Sequence, residues 1–174
     1  GIVPTSSTIN QLSIGDALAV ATLNKKKIRK EDFKKFHPSG ALGSKLKTVE
    51  DLMLSGNRIP FVNENTKMSI ALKIISTKKL GVLVIRNKKK HTVGIITDGQ
   101  IRRANEKNKD IQNLLVKKIM TPNPIKINKD ELSAKALSIM NKKKITSLIV
   151  FSQKNKNKTI GILHIHNILD NNIH

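Results

Sequence analysis

The sequence contains no cysteine, no tryptophan and no tyrosine, and it has only four phenylalanines. The lack of cysteine excludes disulfides and thiolate metal sites, and it makes a reducing cytoplasm the simplest setting for the protein. Because aromatic rings are scarce, any core must be packed from aliphatic side chains, which reach native density without rings. The longest apolar runs, such as residues 82–85, fall far short of the roughly 20 residues that cross a bilayer, so we expect no membrane partner.

Acidic residues are also scarce, since 12 Asp and Glu stand against 33 Lys and Arg, giving a net charge of +21. Such an excess is typical of proteins that bind phosphate backbones. The lysine clusters are scattered, however, and the aromatic side chains that stack on unpaired bases are nearly absent. The clusters occupy residues 25–27, 88–90, 142–144 and 154–158, where we expect turns and helix ends. We therefore favour a solvated basic surface and expect no specific nucleic-acid partner, although weak attraction to polyanions follows from the charge.

An internal repeat occupies the chain from residue 49 onward. Three pairs of segments match at offsets of 65 to 67 residues: 49–53 with 116–120, 80–85 with 145–150, and 94–96 with 161–163. Repeats at such periods indicate that one supersecondary unit occurs twice.

Each copy of the repeat predicts the same order of elements. A short helix ends near Met53 or Met120, and a short strand follows at residues 61–62 or 125–127. A helix with apolar side chains at helical spacing comes next. Two strands follow, at residues 82–85 and 93–97 in the first copy and 147–151 and 159–164 in the second. A last helix begins near Asp98 or His166.

This order resembles a tandem pair of CBS domains, and the strings at residues 51–53, 93–98 and 118–122 carry the resemblance. The resemblance implies an α/β (α+β) fold in which the two copies pack with pseudo-twofold symmetry. We expect the domains to span residues 48–110 and 111–174. The cleft between two CBS copies often binds an adenine nucleotide.

The candidate ligand cleft comprises five residues: Thr97, Asp98, Gln100, His164 and Asn167. Nucleotide-binding CBS copies usually carry a Thr or Ser and, three residues later, an Asp that accepts hydrogen bonds from the ribose. Here Gln100 and Asn167 occupy the Asp positions, and an amide is a weaker acceptor than a carboxylate. We therefore do not favour a generic adenine-nucleotide site. A structural or oligomerising role and a basic cleft for an anionic metabolite remain as alternatives.

The first 47 residues lie outside the repeat and contain two notable segments. A hydroxyl cluster at residues 4–8 precedes a helix that we expect at residues 13–24, and helix starts can hold anions. The second segment, residues 37–43, begins with His37 and is rich in glycine. Taken alone, such a histidine is most simply a loop residue.

Residues 4–8, 15–20 and 37–46 resemble the end of the sugar-isomerase (SIS) domain, a flavodoxin-like α/β domain, of D-arabinose-5-phosphate isomerases. In that family a CBS pair follows directly, and the enzyme interconverts D-arabinose 5-phosphate and D-ribulose 5-phosphate for Kdo and lipopolysaccharide synthesis. The resemblance implies that residues 1–47 end a SIS domain, that His37 is catalytic, and that Thr5, Ser6 and Ser7 bind the sugar-phosphate substrate. It also implies a homo-oligomer, a dimer or tetramer, and we expect no cofactor.

The sequence differs from the family's usual strings at two positions, and it lacks the upstream part of a SIS domain. Ser39 replaces a glycine of the family's His-Pro-Gly-Gly string, and Gln100 replaces the aspartate already discussed. The sheet and phosphate loop of a SIS domain would precede Gly1, so we expect the chain alone to lack useful isomerase activity. A free-standing CBS regulatory module is the alternative.

His164 and His166 alternate on one strand, but without a third ligand we expect no metal site.

Overall fold

A computed structural model of the chain describes residues 4–28, 32, 46–108, 110–171 and 173. It contains two compact units, Gly1–Leu46 and Lys47–His174.

The first unit contains helix α1, Thr5–Lys25. The prediction that this helix begins at Ser13 is wrong, because the hydroxyl cluster forms its first turn. The side chain of Thr8 donates to the Pro4 carbonyl at 2.9 Å, and that of Ser13 donates to the Ile9 carbonyl at 2.9 Å. A hydroxyl that bonds four residues back in this way sits inside a helix without ending it.

The second unit contains both copies of the repeat, in the predicted order. The first copy comprises helix α2 (Val49–Leu52), strand β1 (Leu54–Ser55), strand β2 (Phe61–Asn63), helix α3 (Met68–Lys78), strands β3 (Val82–Arg86) and β4 (Thr92–Thr97), and helix α4 (Asp98–Lys107). The second comprises a 3-10 turn (Val116–Lys118), strand β5 (Thr121–Pro122), strand β6 (Lys126–Asn128), helix α5 (Ser133–Lys143), strands β7 (Ser147–Phe151) and β8 (Gly161–His164), and helix α6 (Ile165–Leu169). Short 3-10 turns also occur at Gly56–Arg58 and Ile111–Asn113.

The strands form two four-stranded sheets, in the orders β2-β3-β4-β5 and β1-β8-β7-β6. Each sheet contains one parallel pair connected through a helix, β2-β3 in the first and β6-β7 in the second. Next to it lies an antiparallel hairpin, β3-β4 in the first sheet and β7-β8 in the second. The leading strand of each copy crosses to the other copy, since β5 pairs with β4 and β1 pairs with β8. The two copies are therefore tied together by reciprocal backbone hydrogen bonds.

Glycines make this exchange of strands sterically feasible. A Cβ atom on Gly94 would lie 2.6 Å from the sulfur of Met120 and 2.9 Å from the carbonyl oxygen of Thr121. A Cβ atom on Gly161 would likewise come too close to the sulfur of Met53. These equivalent glycines let the leading segment of one copy lie directly on the sheet of the other.

The core has three parts that follow from the alternation of side chains along each strand. On β3, Leu83 and Ile85 pack beneath the helices of the first copy, whereas Val82 and Val84 face a cluster shared with β7 and β8. On β7, Leu148 and Val150 pack beneath the helices of the second copy. Both faces of the central strands are therefore buried, which explains their continuous apolar sequences.

Candidate functional site

The first half of the candidate cleft lies where strand β4 passes into helix α4. Thr97 is the N-cap residue of α4. Its backbone N–H donates to the side-chain oxygen of Gln100 at 2.7 Å, and its hydroxyl donates to the same oxygen at 3.2 Å. The side-chain oxygen of Gln100 is therefore held by the start of its own helix.

The other end of the Gln100 amide is also engaged. Its nitrogen donates to the hydroxyl of Thr121, which lies on the strand that the second copy contributes to this sheet. The amide thus bridges the two copies at the position where a nucleotide-binding CBS copy would present a free carboxylate. A ligand that uses Gln100 must compete with both contacts.

Asp98 presents the only carboxylate among the five candidate cleft residues, and it lies over the start of strand β3. Its backbone N–H donates to the Gly81 carbonyl at 3.1 Å. A Cβ atom on Gly81 would lie 2.8 Å from a carboxylate oxygen of Asp98, and Gly81 has a φ of +62°. Gly81 therefore provides both the left-handed backbone and the space that this carboxylate requires.

The second half of the cleft has a histidine at the matching cap position. The backbone N–H of His164 donates to the side-chain oxygen of Asn167 at 3.2 Å, and Nδ1 of His164 accepts from the backbone N–H of His166 at 3.3 Å. Partial burial, and secondarily the charge of His166, lower the pKa of His164. The cap needs the unprotonated Nδ1, so its geometry and the direction of the pKa shift agree.

The two halves are not equivalent where the leading strands meet them. Thr121 pairs with Ile95 in one sheet, and Leu54 pairs with Ile162 in the other. The bond from Gln100 to Thr121 therefore has no counterpart at Asn167, because an apolar side chain occupies the matching position.

A basic groove opens beside Gln100 and Thr121, with a cavity volume of about 660 Å³. Its lining includes three cationic side chains, those of Arg103, Lys107 and Lys118. Sequence reasoning missed these residues, although Arg103 and Lys107 are spaced four apart and share a face of α4. Their convergence with Lys118 depends on the strand exchange, which no local pattern reveals.

The residues expected to act on the sugar phosphate belong to the first unit. Thr5, Ser6 and Ser7 are exposed and form the first turn of α1. His37 lies outside the residues that the structure describes.

In the described part of the chain, no group of three or more His, Asp or Glu side chains is arranged to hold a metal ion. The rings of His164 and His166 have centroids 5.0 Å apart and are tilted by 34°. None of the helices within the described ranges is long and apolar enough to span a membrane.

Comparison with known proteins places the chain beside arabinose 5-phosphate isomerases. The isomerase KdsD of Salmonella typhimurium is 40% identical over 170 residues, which are 97% of this chain and 51% of the relative. KdsD of Escherichia coli K12 is 39% identical over the same shares. The chain thus spans about half the length of the curated relatives it matches.

Solved structures resemble the second unit. CBSX2 in complex with AMP is 26% identical with a TM-score of 0.61, covering 71% of this chain and 93% of that one. The CBS pair of protein MJ0100, in complex with 5′-methylthioadenosine and S-adenosyl-L-methionine, is 25% identical with a TM-score of 0.64, covering 72% and 94%. The sequence profile of the CBS domain matches residues 49–107 and 116–173. The chain therefore belongs to the CBS-domain family and carries two CBS domains in tandem.

Proposed function

We propose that this chain is the C-terminal part of an aldose–ketose isomerase that interconverts D-arabinose 5-phosphate and D-ribulose 5-phosphate, in the route to Kdo and lipopolysaccharide. The observation that carries the proposal is the extent of the similarity to the named isomerases. It spans 170 of 174 residues, so it includes nearly all of the segment ahead of the first CBS domain at residue 49. A free-standing CBS module would have no reason to share that segment.

The proposed reaction moves a proton between C1 and C2 of the sugar through an enediol. His37 acts as an acid or base, because an imidazole exchanges protons near neutral pH. Thr5, Ser6 and Ser7 hold the phosphate. In support, all three hydroxyl residues lie in the first turn of the 21-residue helix α1, where backbone N–H groups lack helical partners and the dipole favours anions.

Three segments of the chain have different roles in this enzyme. Residues 1–47 end the SIS domain, and residues 48–110 and 111–174 form a regulatory or oligomerising CBS pair. Because the chain spans about half of its isomerase relatives, the 174 residues alone lack useful turnover. The complete enzyme is a cytoplasmic homo-oligomer, a dimer or tetramer.

Site-directed substitution in a completed enzyme tests this proposal. The chain is joined to the N-terminal half of the Escherichia coli relative, and conversion of D-arabinose 5-phosphate is measured. His37→Ala should lower kcat by a factor of about 10² or more, the usual contribution of an acid or base. His91→Ala is the matched control, because His91 lies in a turn of the first CBS domain, and it should change kcat less than about twofold. Undiminished turnover by His37→Ala would remove the proposed catalytic role.

A second function concerns a ligand of the CBS pair. The basic groove formed by Arg103, Lys107 and Lys118 favours an anionic metabolite, and two similar CBS proteins are complexes with adenine-containing ligands. Calorimetry with AMP tests this role. Arg103→Ala should weaken binding about tenfold, whereas Lys142→Ala, which removes the same charge from helix α5, should leave it unchanged. Equal effects of both substitutions would point to general charge attraction instead.

A further inference from the structure

The fold of the second unit brings together two of the scattered lysine clusters. The hydroxyls of Thr92 and Thr159 lie 2.6 Å apart, and the backbone N–H of Thr92 donates to the Asn157 carbonyl at 2.8 Å. These bonds hold the turn between β3 and β4 beside the turn between β7 and β8. Six exposed lysines therefore share one edge: Lys88, Lys89, Lys90, Lys154, Lys156 and Lys158.

Arg86, the last residue of β3, stands at this edge with an unusual environment. Its guanidinium carbon lies 3.5 Å from the centroid of the Phe61 ring, so the ring supports one face of the planar cation. Within the described ranges, no carboxylate lies within ion-pair distance of it. Glu64 is adjacent to Arg86, but the hydrogen bond between them joins only their backbones: the N–H of Glu64 donates to the Arg86 carbonyl at 3.0 Å. Burial lowers the pKa of Arg86 from its usual value, and the guanidinium stays charged at neutral pH.

A small cavity of about 250 Å³ opens beside this guanidinium. Its lining carries three cations, Arg86, Lys88 and Lys90, together with Phe61 and the polar side chains of Asn63 and Asn87, and no acidic residue. Pockets for drug-sized ligands are usually larger, about 300–1,000 Å³. The volume therefore suits an anionic head group rather than a complete nucleotide.

The second copy of the repeat lacks this arrangement. At the positions 65 residues later, Lys126 replaces Phe61 and Phe151 replaces Arg86, so the cation and the ring exchange strands. The ammonium group of Lys126 donates to the Lys156 carbonyl at 3.4 Å. In the second copy, the ammonium group of Lys126 therefore bonds to the turn between β7 and β8. No guanidinium group is present at the matching position.

The cavity is also remote from the candidate cleft. Val82 pairs with Thr97 at one end of β3, whereas Arg86 pairs with Thr92 at the other. Four residue steps along a strand separate the two ends by about 13 Å. A ligand in the Arg86 cavity therefore does not occupy the position of Thr97 and Gln100.

The geometry points to a second anion site: the Arg86 cavity binds the phosphate group of a small phosphorylated ligand. Arg86 supplies a bidentate fork, pre-oriented by Phe61, which matches phosphate oxygens. Lys88 and Lys90 add point charges, and the adjoining lysine turn of the second copy raises the positive potential. This site goes beyond the proposed isomerase function, because it gives the CBS pair a phosphate sensor outside its cleft.

A nuclear magnetic resonance titration of the 174-residue chain tests the site, with inorganic pyrophosphate and glycerol 3-phosphate as separate probes at constant salt. At least one probe should cause saturable shifts concentrated in the backbone amides of residues 86–90. Tighter binding of pyrophosphate would assign a ligand with adjacent phosphates, and tighter binding of glycerol 3-phosphate would assign a phosphomonoester.

Two variants and one control separate this site from general charge attraction. Arg86→Gln should weaken binding about tenfold or more, and Lys88→Ala, which leaves the stacked Arg86 in place, about threefold. Lys142→Ala removes one charge from a distant helix and should weaken binding less than about twofold. Shifts spread evenly over all lysines, or equal affinity of Arg86→Gln and the unaltered chain, would overturn the inference.

Discussion

Replacement of Gln100 by Asp should convert the first half of the cleft into a better adenine-nucleotide site. The substitution restores the carboxylate that nucleotide-binding CBS copies present to the ribose. It should also preserve the start of helix α4, because Asp51 already caps helix α2 in the same way. There the backbone N–H of Thr48 donates to a carboxylate oxygen of Asp51 at 2.6 Å.

The expected gain in affinity follows from the strength of the acceptor. A hydrogen bond to a charged group contributes about 1.5–3 kcal/mol and a neutral one about 0.5–1.5 kcal/mol. The difference, about 1–1.5 kcal/mol, corresponds to roughly five- to tenfold tighter binding. The introduced carboxylate cannot donate to Thr121 as the Gln100 amide does, so the free energy of unfolding should fall by at most about 1 kcal/mol.

Isothermal titration calorimetry with AMP measures this gain directly. Gln112→Asp is the matched control, since Gln112 is exposed in the 3-10 turn Ile111–Asn113 and undergoes the same chemical change. The control should bind AMP like the unaltered chain. Unchanged or weaker binding by Gln100→Asp would refute the argument that the missing carboxylate limits this cleft.

Three further predictions concern stability, each measured by denaturant unfolding. Gly94→Ala should lower the free energy of unfolding by about 1–3 kcal/mol, because the new Cβ would lie 2.9 Å from a carbonyl oxygen of strand β5. Gly99→Ala is the control and should not lower the free energy of unfolding, because its Cβ would meet only a side-chain nitrogen at 3.6 Å. Stability should fall as the pH drops below 6.5, since the lowered pKa of His164 lets the unfolded chain take up a proton more readily than the folded one. His164→Asn keeps a capping side chain and should reduce this slope; an unchanged slope would contradict the assignment. Met140→Ala, at a position 1% exposed, should cost about 2–5 kcal/mol, whereas Leu132→Ala, at 42%, should cost much less, and similar losses would be inconsistent with the core described.

The repeat made most of the second unit predictable from sequence. Strand and helix periods are local, so the positions of β3, β4 and α3 follow from residue spacing alone. The start of α1 did not follow, because Ser and Thr favour both caps and turns, and only the bond from Thr8 back to Pro4 shows that they join the helix here.

The contacts that define the two proposed anion sites were not predictable in the same way. Gln100 meets Thr121, and Thr92 meets Thr159, through the exchange of strands and the pseudo-twofold packing of the copies. Such contacts join residues far apart in sequence, and periodicity carries no information about them. The scattered lysine clusters consequently gave no sign that two of them share one edge.

The most direct test of the account is the conversion of D-arabinose 5-phosphate to D-ribulose 5-phosphate by this chain alone and by the chain joined to the N-terminal half of an isomerase relative. The account predicts turnover only by the joined protein, with the CBS pair as its regulatory and closing segment. Robust turnover by the 174 residues alone would contradict the proposal that they need the N-terminal half of an isomerase for activity. Failure of the joined protein, when the relative's own complete enzyme is active under the same conditions, would contradict the isomerase assignment and leave a CBS sensor as the leading account.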